Sequence, residues 1–187
     1  MGFAIADAFA DRGAEVTLIC GPVQIQPSNA SVKTVNVTSA GEMFDACIAL
    51  ADKVDIAVFA AAVADFTPMN PAHAKIKRGK DDMVIKLQPT KDIAAELGKG
   101  KKANQLFVGF ALETNDALAN ALTKLERKNL DLIVLNSLED KGAGFGTETN
   151  KITLIDKSGN IDNFDLKPKR AVAEDIIDKI LKLLKDA

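Results

Sequence analysis

The chain has 187 residues, with 24 Lys+Arg against 26 Asp+Glu, 47% hydrophobic and 27% charged residues. That is the composition of one ordinary globular domain: too apolar for intrinsic disorder, and lacking the run of about 18 apolar residues that a membrane span needs. Two cysteines cannot form a disulfide framework, one histidine without a Cys-x-x-Cys argues against a zinc site, and the absence of Trp and Tyr argues against base-stacking platforms.

The start, Met1-Gly2-Phe3, lacks the basic region and long apolar stretch of a signal peptide, and Ala6 stands where a myristoylation signal has Ser or Thr. The expected location is the cytoplasm, with Cys20 and Cys47 as reduced thiols. Phe3 to Asp11 reads as a helix. Glu15 to Cys20 reads as a buried strand closed by Gly21-Pro22, and Lys33 to Val37 as a second strand. Ser39 to Ala51 is a helix whose Ser39 and Glu42 have the spacing of a capping box. Val54 to Ala61 is almost continuously apolar, as in a strand covered on both faces, and Leu106 to Ala111 and Leu130 to Leu135 repeat that pattern. Met83 to Gln88 reads as a shorter strand, and Thr90 to Ile93, after Pro89, opens a helix. Between Leu106–Ala111 and Leu130–Leu135, Leu118, Ala121, Leu122 and Leu125 mark the inward face of another helix. Lys151 to Ile155 and Ile161 to Leu166 form a hairpin around Asp156-Lys-Ser-Gly-Asn160. A last helix runs from about Pro168, with Val172, Ile176, Ile177, Ile180 and Leu184 on one face.

Alternating strands and helices predict an α/β fold. Its form is a Rossmann-like, doubly wound, mostly parallel sheet in a single domain over residues 1–187, with a C-terminal β-hairpin and helix. Such a fold opens with a strand and a Gly-rich turn. This chain opens with a helix, so the first strand is expected to be missing from it.

Residues 75–102 carry nine Lys/Arg and four acids, which makes that segment +5 and the remainder −7. A basic segment in an acidic chain draws an anion to one place, although a solvated lysine-rich loop has the same composition. Duplex DNA fits poorly, since no basic recognition helix is present. Ala60-Ala-Ala-Val-Ala-Asp65 ends a strand in small residues, which lets a flat ring or ribose approach the backbone, with Asp65 as acceptor; plain packing and an Asx-turn are the alternative. Lys75 and Lys77 share a side if the segment is extended. The start of the Thr90–Ile93 helix offers free amides to a phosphate, or is simply capped by Thr90. Lys124 and Lys128, four apart on a stripe with Ala117 and Ala121, repel each other until an anion or solvent intervenes. Gly142-Ala-Gly144-Phe-Gly146 precedes a strand rather than a helix, so it is neither a Rossmann fingerprint nor a P-loop; a loop that closes over a ligand remains open.

Several strings recur in one order: Ala61-Ala-Val-Ala-Asp65-Phe66, Lys75-Ile-Lys77, Val108-Gly-Phe-Ala111 with Glu113-Thr114, Arg127-Lys-Asn-Leu-Asp-Leu-Ile133 with Asn136, then Gly144-Phe145 and Asn150. Gly13-Ala-Glu-Val-Thr-Leu18 with Gly21-Pro22 fits upstream. This set resembles bacterial phosphopantothenoylcysteine synthetase, the carboxy-terminal half of the bifunctional coenzyme A biosynthesis flavoprotein, over essentially the whole chain. The resemblance implies a ligase that joins 4′-phosphopantothenate to cysteine. CTP with Mg²⁺ activates the carboxylate as an acyl-cytidylate, and the cysteine amine displaces CMP. It implies nucleotide contacts at Ala60, Ala61, Asp65, Lys75, Thr90, Lys91, Asp92, Ile93, Phe110, Lys124 and Lys128. Within that set, Lys75 assists activation, Lys124 and Lys128 hold the triphosphate, and Phe110 packs on the nucleoside. No metal ligand is implied. The family is a homodimer, with residues 66 to 90 reaching toward the partner, and a flavin decarboxylase half is fused or associated. Relative to the family, the front strand and the Asn-x-Ser-Ser-Gly-x-Met-Gly loop are reduced here to Met1-Gly2, and Thr90-Lys91 stands where the family has Asn-Pro. Two rival readings remain: a Rossmann-like NAD(P)-dependent reductase, which needs a Gly-rich turn ahead of Met1, and a non-catalytic nucleotide-binding or dimerisation module.

Overall fold

The computed structural model describes residues 1–72, 74–78, 82–113, 116–137 and 147–185. The glycine-rich segment 142–146, His73 and Thr114 lie outside the described residues, so the expectations placed on them stay untouched.

Helix α1 (Gly2–Asp11) leads into β1 (Thr17–Cys20), which pairs in parallel with β2 (Lys33–Asn36). Helix α2 (Ala40–Ala51) starts as its capping residues require: the Ser39 hydroxyl accepts the Glu42 N–H at 3.2 Å, and the Glu42 carboxylate accepts the Thr38 N–H at 2.8 Å. β3 (Ile56–Phe59) follows, then the short antiparallel pair β4 (Phe66–Pro68) and β5 (Leu87–Pro89), helix α3 (Ile93–Lys99) and β6 (Leu106–Glu113). The strand expected from Met83 is confined to Leu87–Pro89; residues 82–86 are exposed, and among the described residues no apolar face covers them. Helix α4 (Ala117–Arg127) leads to β7 (Leu132–Ser137). β8 (Thr149–Asn150), β9 (Ile152–Asp156), β10 (Ile161–Asn163), β11 (Lys167–Pro168) and α5 (Lys169–Lys185) complete the chain.

The main sheet has the order β10-β9-β7-β6-β3. β3, β6 and β7 run parallel, as their continuous apolar runs predict, and the β9–β10 hairpin closes the far side antiparallel. Its turn depends on Gly159 at φ 84°, a conformation that penalises any Cβ, and on the Asp156 carboxylate, which accepts the Ser158 and Asn160 N–H groups at 3.0 Å each.

Two cores lie on the two faces of the sheet. Leu106, Val108, Leu132, Val134, Ile152 and Leu154 face α1 and α5, where Val172, Ile176 and Ile180 are fully buried. Phe107, Ile133, Leu135 and Ile155 face α2, α3 and α4. β1 and β2 form a separate pair, and among the described residues no strand hydrogen-bonds the outer edge of β3. All four β3 residues are therefore only half-buried, although their pattern is that of a central strand. Ile19 of β1 and Phe59 of β3 still share the lower core with Met43 of α2, so α2 bridges the two sheet pieces.

The inward face of α4 differs from expectation. Ala121 and Leu125 are buried, but Leu118 and Leu122 are 45% and 38% exposed. Two stripes compete on this helix, and the one with the small Ala121 lets the helix backbone approach β6 and β7. Leu184 is also on the exposed side, one turn beyond the last core residue of α5. No helix among the described residues is long and apolar enough to cross a membrane.

Candidate functional site

β3 ends at Phe59, and from Ala60 the chain leaves the sheet through Ala61 and reaches Asp65, the last two exposed. The small residues expected there allow a close approach: a Cβ built on Gly2, at the start of α1, would stand 3.6 Å from the Ala60 Cβ. The Asp65 carbonyl accepts the Thr90 N–H at 2.9 Å, and the Thr90 hydroxyl donates to the Ala64 carbonyl at 2.6 Å. These bonds extend the β4–β5 pairing by one residue and keep Thr90 extended. The helix therefore begins two residues later than a Thr90 cap implies. Asp92 is the N-cap of α3, its carboxylate accepting the Ala95 N–H at 3.1 Å. Ile93 is a core residue, 8% exposed, so its side chain faces the interior.

Asp92 also faces two cations from α4. Lys128 lies 3.1 Å and Arg127 3.7 Å from its carboxylate. Burial raises the Asp92 carboxyl, but the Ala95 N–H, Lys128 and Arg127 outweigh it and hold the group below its ordinary range. Lys128 is the residue that caps the C-terminus of α4 rather than part of the helix proper. Its counter-ion is already present, so the Lys124–Lys128 repulsion read from the sequence is partly relieved by Asp92. Lys124 lies one turn earlier, beside Asn120, Thr123 and Arg127 around a shallow cavity of about 320 Å³. Lys91 sits 4.2 Å over the Phe44 ring of α2.

The structure thus links Asp65 to Thr90 and Asp92 to Lys128 in one strip, with Lys91 between them, Ala60 five positions before Asp65 and Lys124 one turn before Lys128. The strip runs from the carboxyl end of β3 across the start of α3 to the end of α4. Phe110 is separate from this strip, because it packs half-buried on the α1/α5 side of the sheet. Lys75 lies in the exposed excursion between β4 and β5. That excursion and the two strands that bound it carry exposed Phe66, Met69, Ile76, Met83, Val84, Ile85 and Leu87.

Two structural anchors stand in strings quoted from the sequence without a role for these residues. Asp131, at the start of β7, accepts from the Phe107 N–H at 2.8 Å and pairs with Lys101 at 2.8 Å and Lys157 at 3.1 Å. Asn150 donates to the Asn136 Oδ1 at 3.3 Å at the carboxyl end of β7. For Asp131 the available signal was a carboxylate inside the apolar run Leu130–Leu135; Asn150 has no such local signal.

The chain matches a family model described as the DNA/pantothenate metabolism flavoprotein C-terminal domain over residues 1–184. It is 62% identical over 184 residues to a protein named cysteine/cysteine sulfinic acid decarboxylase from an unknown prokaryotic organism, which covers 98% of this chain and 51% of that one. It is 41% identical over 185 residues to the coenzyme A biosynthesis bifunctional protein CoaBC of Bacillus subtilis (strain 168), covering 99% and 45% respectively. The crystal structure of the C-terminal domain of a CoaBC protein superimposes with a TM-score of 0.82 at 35% identity, covering all of this chain and 83% of that one. The chain spans about half the length of these two curated relatives.

Proposed function

The chain belongs to the family of DNA/pantothenate metabolism flavoprotein C-terminal domains, and from that premise we propose that it is a ligase of coenzyme A biosynthesis, joining 4′-phosphopantothenate to cysteine at the expense of CTP. The supporting observation is the strip in which hydrogen bonds and an ion pair join Ala64–Asp65, Thr90, Asp92 and Lys128, with Lys124 one turn away. It is long, open and flanked by cations, as a triphosphate requires.

In this reading the pantothenate carboxylate attacks the α-phosphorus of CTP. The bond to the β-phosphate oxygen breaks, diphosphate leaves, and an acyl-cytidylate forms. The neutral cysteine amine then attacks the acyl carbon, CMP leaves with the C–O bond electrons, the nitrogen releases a proton to solvent, and an amide remains. Lys124 and Lys128 hold the triphosphate as point charges, Lys128 exchanging part of its Asp92 contact for phosphate. Lys75 comes in from the β4–β5 excursion and neutralises charge that develops on the phosphate in the transition state. Phe110 packs on the nucleoside from the other side of the sheet end.

The donor set fits a Mg²⁺ that arrives on the nucleotide, since Asp92 is already committed to a helix cap and a lysine. When bound, that ion supplies charge neutralisation at the phosphates. The exposed apolar excursion supports a homodimer in which this segment meets its partner. A flavin decarboxylase half on the same or an associated chain accords with the flavoprotein description of the family and with the longer relative named a decarboxylase.

Thermal unfolding with CTP, ATP or NADPH, each with Mg²⁺, tests the reading. CTP at about 100 times its dissociation constant adds roughly 2.7 kcal/mol and raises the midpoint by several degrees. Lys124→Ala loses that shift. Lys75→Ala keeps it but releases diphosphate more slowly in the presence of phosphopantothenate. A shift with NADPH alone favours a reductase, and carbon dioxide release from cysteine without CTP favours the decarboxylase activity that the 62%-identical relative is named for.

A further inference from the structure

We propose that Asn150 is a positioning residue: it holds the carbonyl oxygen of the Asn136 amide and so turns that amide's NH₂ group toward the ligand at the carboxyl end of the sheet. The inference rests on the proposed nucleotide site and deepens it.

Asn150 is 2% exposed and sits in β8, against β11 and α5. Its Oδ1 accepts the Lys151 N–H at 3.1 Å. A backbone N–H can only donate, so this contact fixes which end of the Asn150 amide is oxygen. The NH₂ group must then face the other way, where it meets the Asn136 Oδ1 at 3.3 Å and the Met1 Sδ at 3.7 Å, both acceptors. Turning either amide over would place donor against donor or acceptor against acceptor. Two amides are thus oriented in series by one backbone group.

What this orients is the end of β7. Asn136 follows the apolar run Leu132–Leu135 and pairs in register with Leu112 of β6 and Ile152 of β9. It lies on the α1/α5 face, like Leu132 and Val134 before it. Phe110 is on the same face, directly across from Val134, so Asn136 stands diagonally beyond it toward the carboxyl end. From Asn136 the contacts continue through Asn150 to Met1, whose neighbour Gly2 has room for only one more carbon before Ala60: a Cβ built on it would stand 3.6 Å from the Ala60 Cβ. This is the rim at which parallel α/β sheets bind ligands. Asn136 itself is only half-buried, and an Asn pair kept purely for packing gains nothing over an apolar pair of the same size. A donor held toward the nucleoside that Phe110 covers does gain something: it reads an acceptor on the nucleotide.

Asn150→Asp tests this, because the replacement is isosteric. One carboxylate oxygen still accepts the Lys151 N–H. The other can only accept, so the Asn136 amide turns over and presents its oxygen to the ligand. Calorimetric titration with CTP and Mg²⁺, at a pH at which the introduced carboxyl is ionised, should show affinity reduced about tenfold or more, the size expected for one donor replaced by an acceptor; the buried charge also lowers the melting temperature. The paired replacement Asn136→Leu with Asn150→Leu, which restores packing, should lose affinity similarly. If the Asp variant does not fold, Asn150→Ala leaves the Asn136 amide unheld and should still weaken CTP several-fold. CTP affinity within about twofold of the parent in these folded variants overturns the role of Asn150 and leaves the proposed function standing. A parent protein that binds no CTP overturns the proposed function, and this inference with it.

Discussion

Replacing Gly98 by Ala should destabilise the protein, against the usual sign for a glycine inside a helix. Ala is favoured over Gly in a helix interior by about 1 kcal/mol. Here, though, a Cβ on Gly98 would stand 2.2 Å from the Lys128 carbonyl oxygen and 3.0 Å from its carbon. That is about 1.2 Å short of the 3.4 Å at which ordinary contact begins. The obstacle is backbone, and its peptide is held by the Asn129 N–H bond to Glu126 O at 3.0 Å, so it cannot rotate away as a side chain would. Helix α3 must move outward, and the 2.9 Å bond from Asn129 Nδ2 to Gly98 O stretches with it. Overpacking of this kind costs about 1–3 kcal/mol and the strained hydrogen bond about 1 kcal/mol, so the net loss is about 1–3 kcal/mol. The same displacement separates Asp92 from Lys128 and should weaken CTP binding. Gly100→Ala is the control: it caps the same helix at φ −102°, and its Cβ would meet nothing closer than Leu97 O at 3.9 Å. The chain has no Trp or Tyr, so far-UV circular dichroism in urea is the suitable readout. If Gly98→Ala is as stable as the parent, or Gly100→Ala is equally damaged, the close approach of α3 to the end of α4 is refuted.

Two further outcomes follow from charge and from pairing. Burial raises the Asp131 carboxyl, but Lys101, the Phe107 N–H and Lys157 bring it below its ordinary 3.8, so its stabilisation is complete above that value and is lost as pH falls through the lower folded value. Acid unfolding should therefore steepen below about pH 4, and Asp131→Asn should lose roughly 3 kcal/mol at neutral pH, by leaving the nearly buried Lys101 unpaired, while flattening that acid limb. In hydrogen exchange, Ile56–Phe59 should exchange well before Val108 and Leu132–Leu135, because β3 is paired on its β6 side alone among the described strands; equal protection would mean that a strand covers its other edge.

What could be read from the sequence divides by the range of the interaction that decides each element. Val54–Ala61, Leu106–Ala111 and Leu130–Leu135 announce covered parallel strands by composition alone, and Ser39 with Glu42 announces a helix start because the bonds involved span three or four residues. The errors occur where a distant partner decides. Thr90 and Asp92 are both good caps, and the choice falls to Asp92 because Asp65, 25 positions earlier, holds Thr90 in extended form. Leu118 and Leu122 form as good a stripe as Ala121 and Leu125, and the sheet beneath selects the stripe with the smaller residue. The site follows the same rule. Its charges were visible as a basic segment, yet Asp92 and Lys128 lie 36 positions apart and meet only because Gly98 lets α3 close on the end of α4. Asn136 and Asn150 look like isolated polar interruptions until β7 and β8 bring them together. Residue types suited to phosphate and nucleoside can therefore be listed from the sequence, but the distances that make them one surface come from crossovers between strands. A substitution that spares every listed residue and moves a crossover, as Gly98→Ala does, should damage the site as surely as removing a lysine.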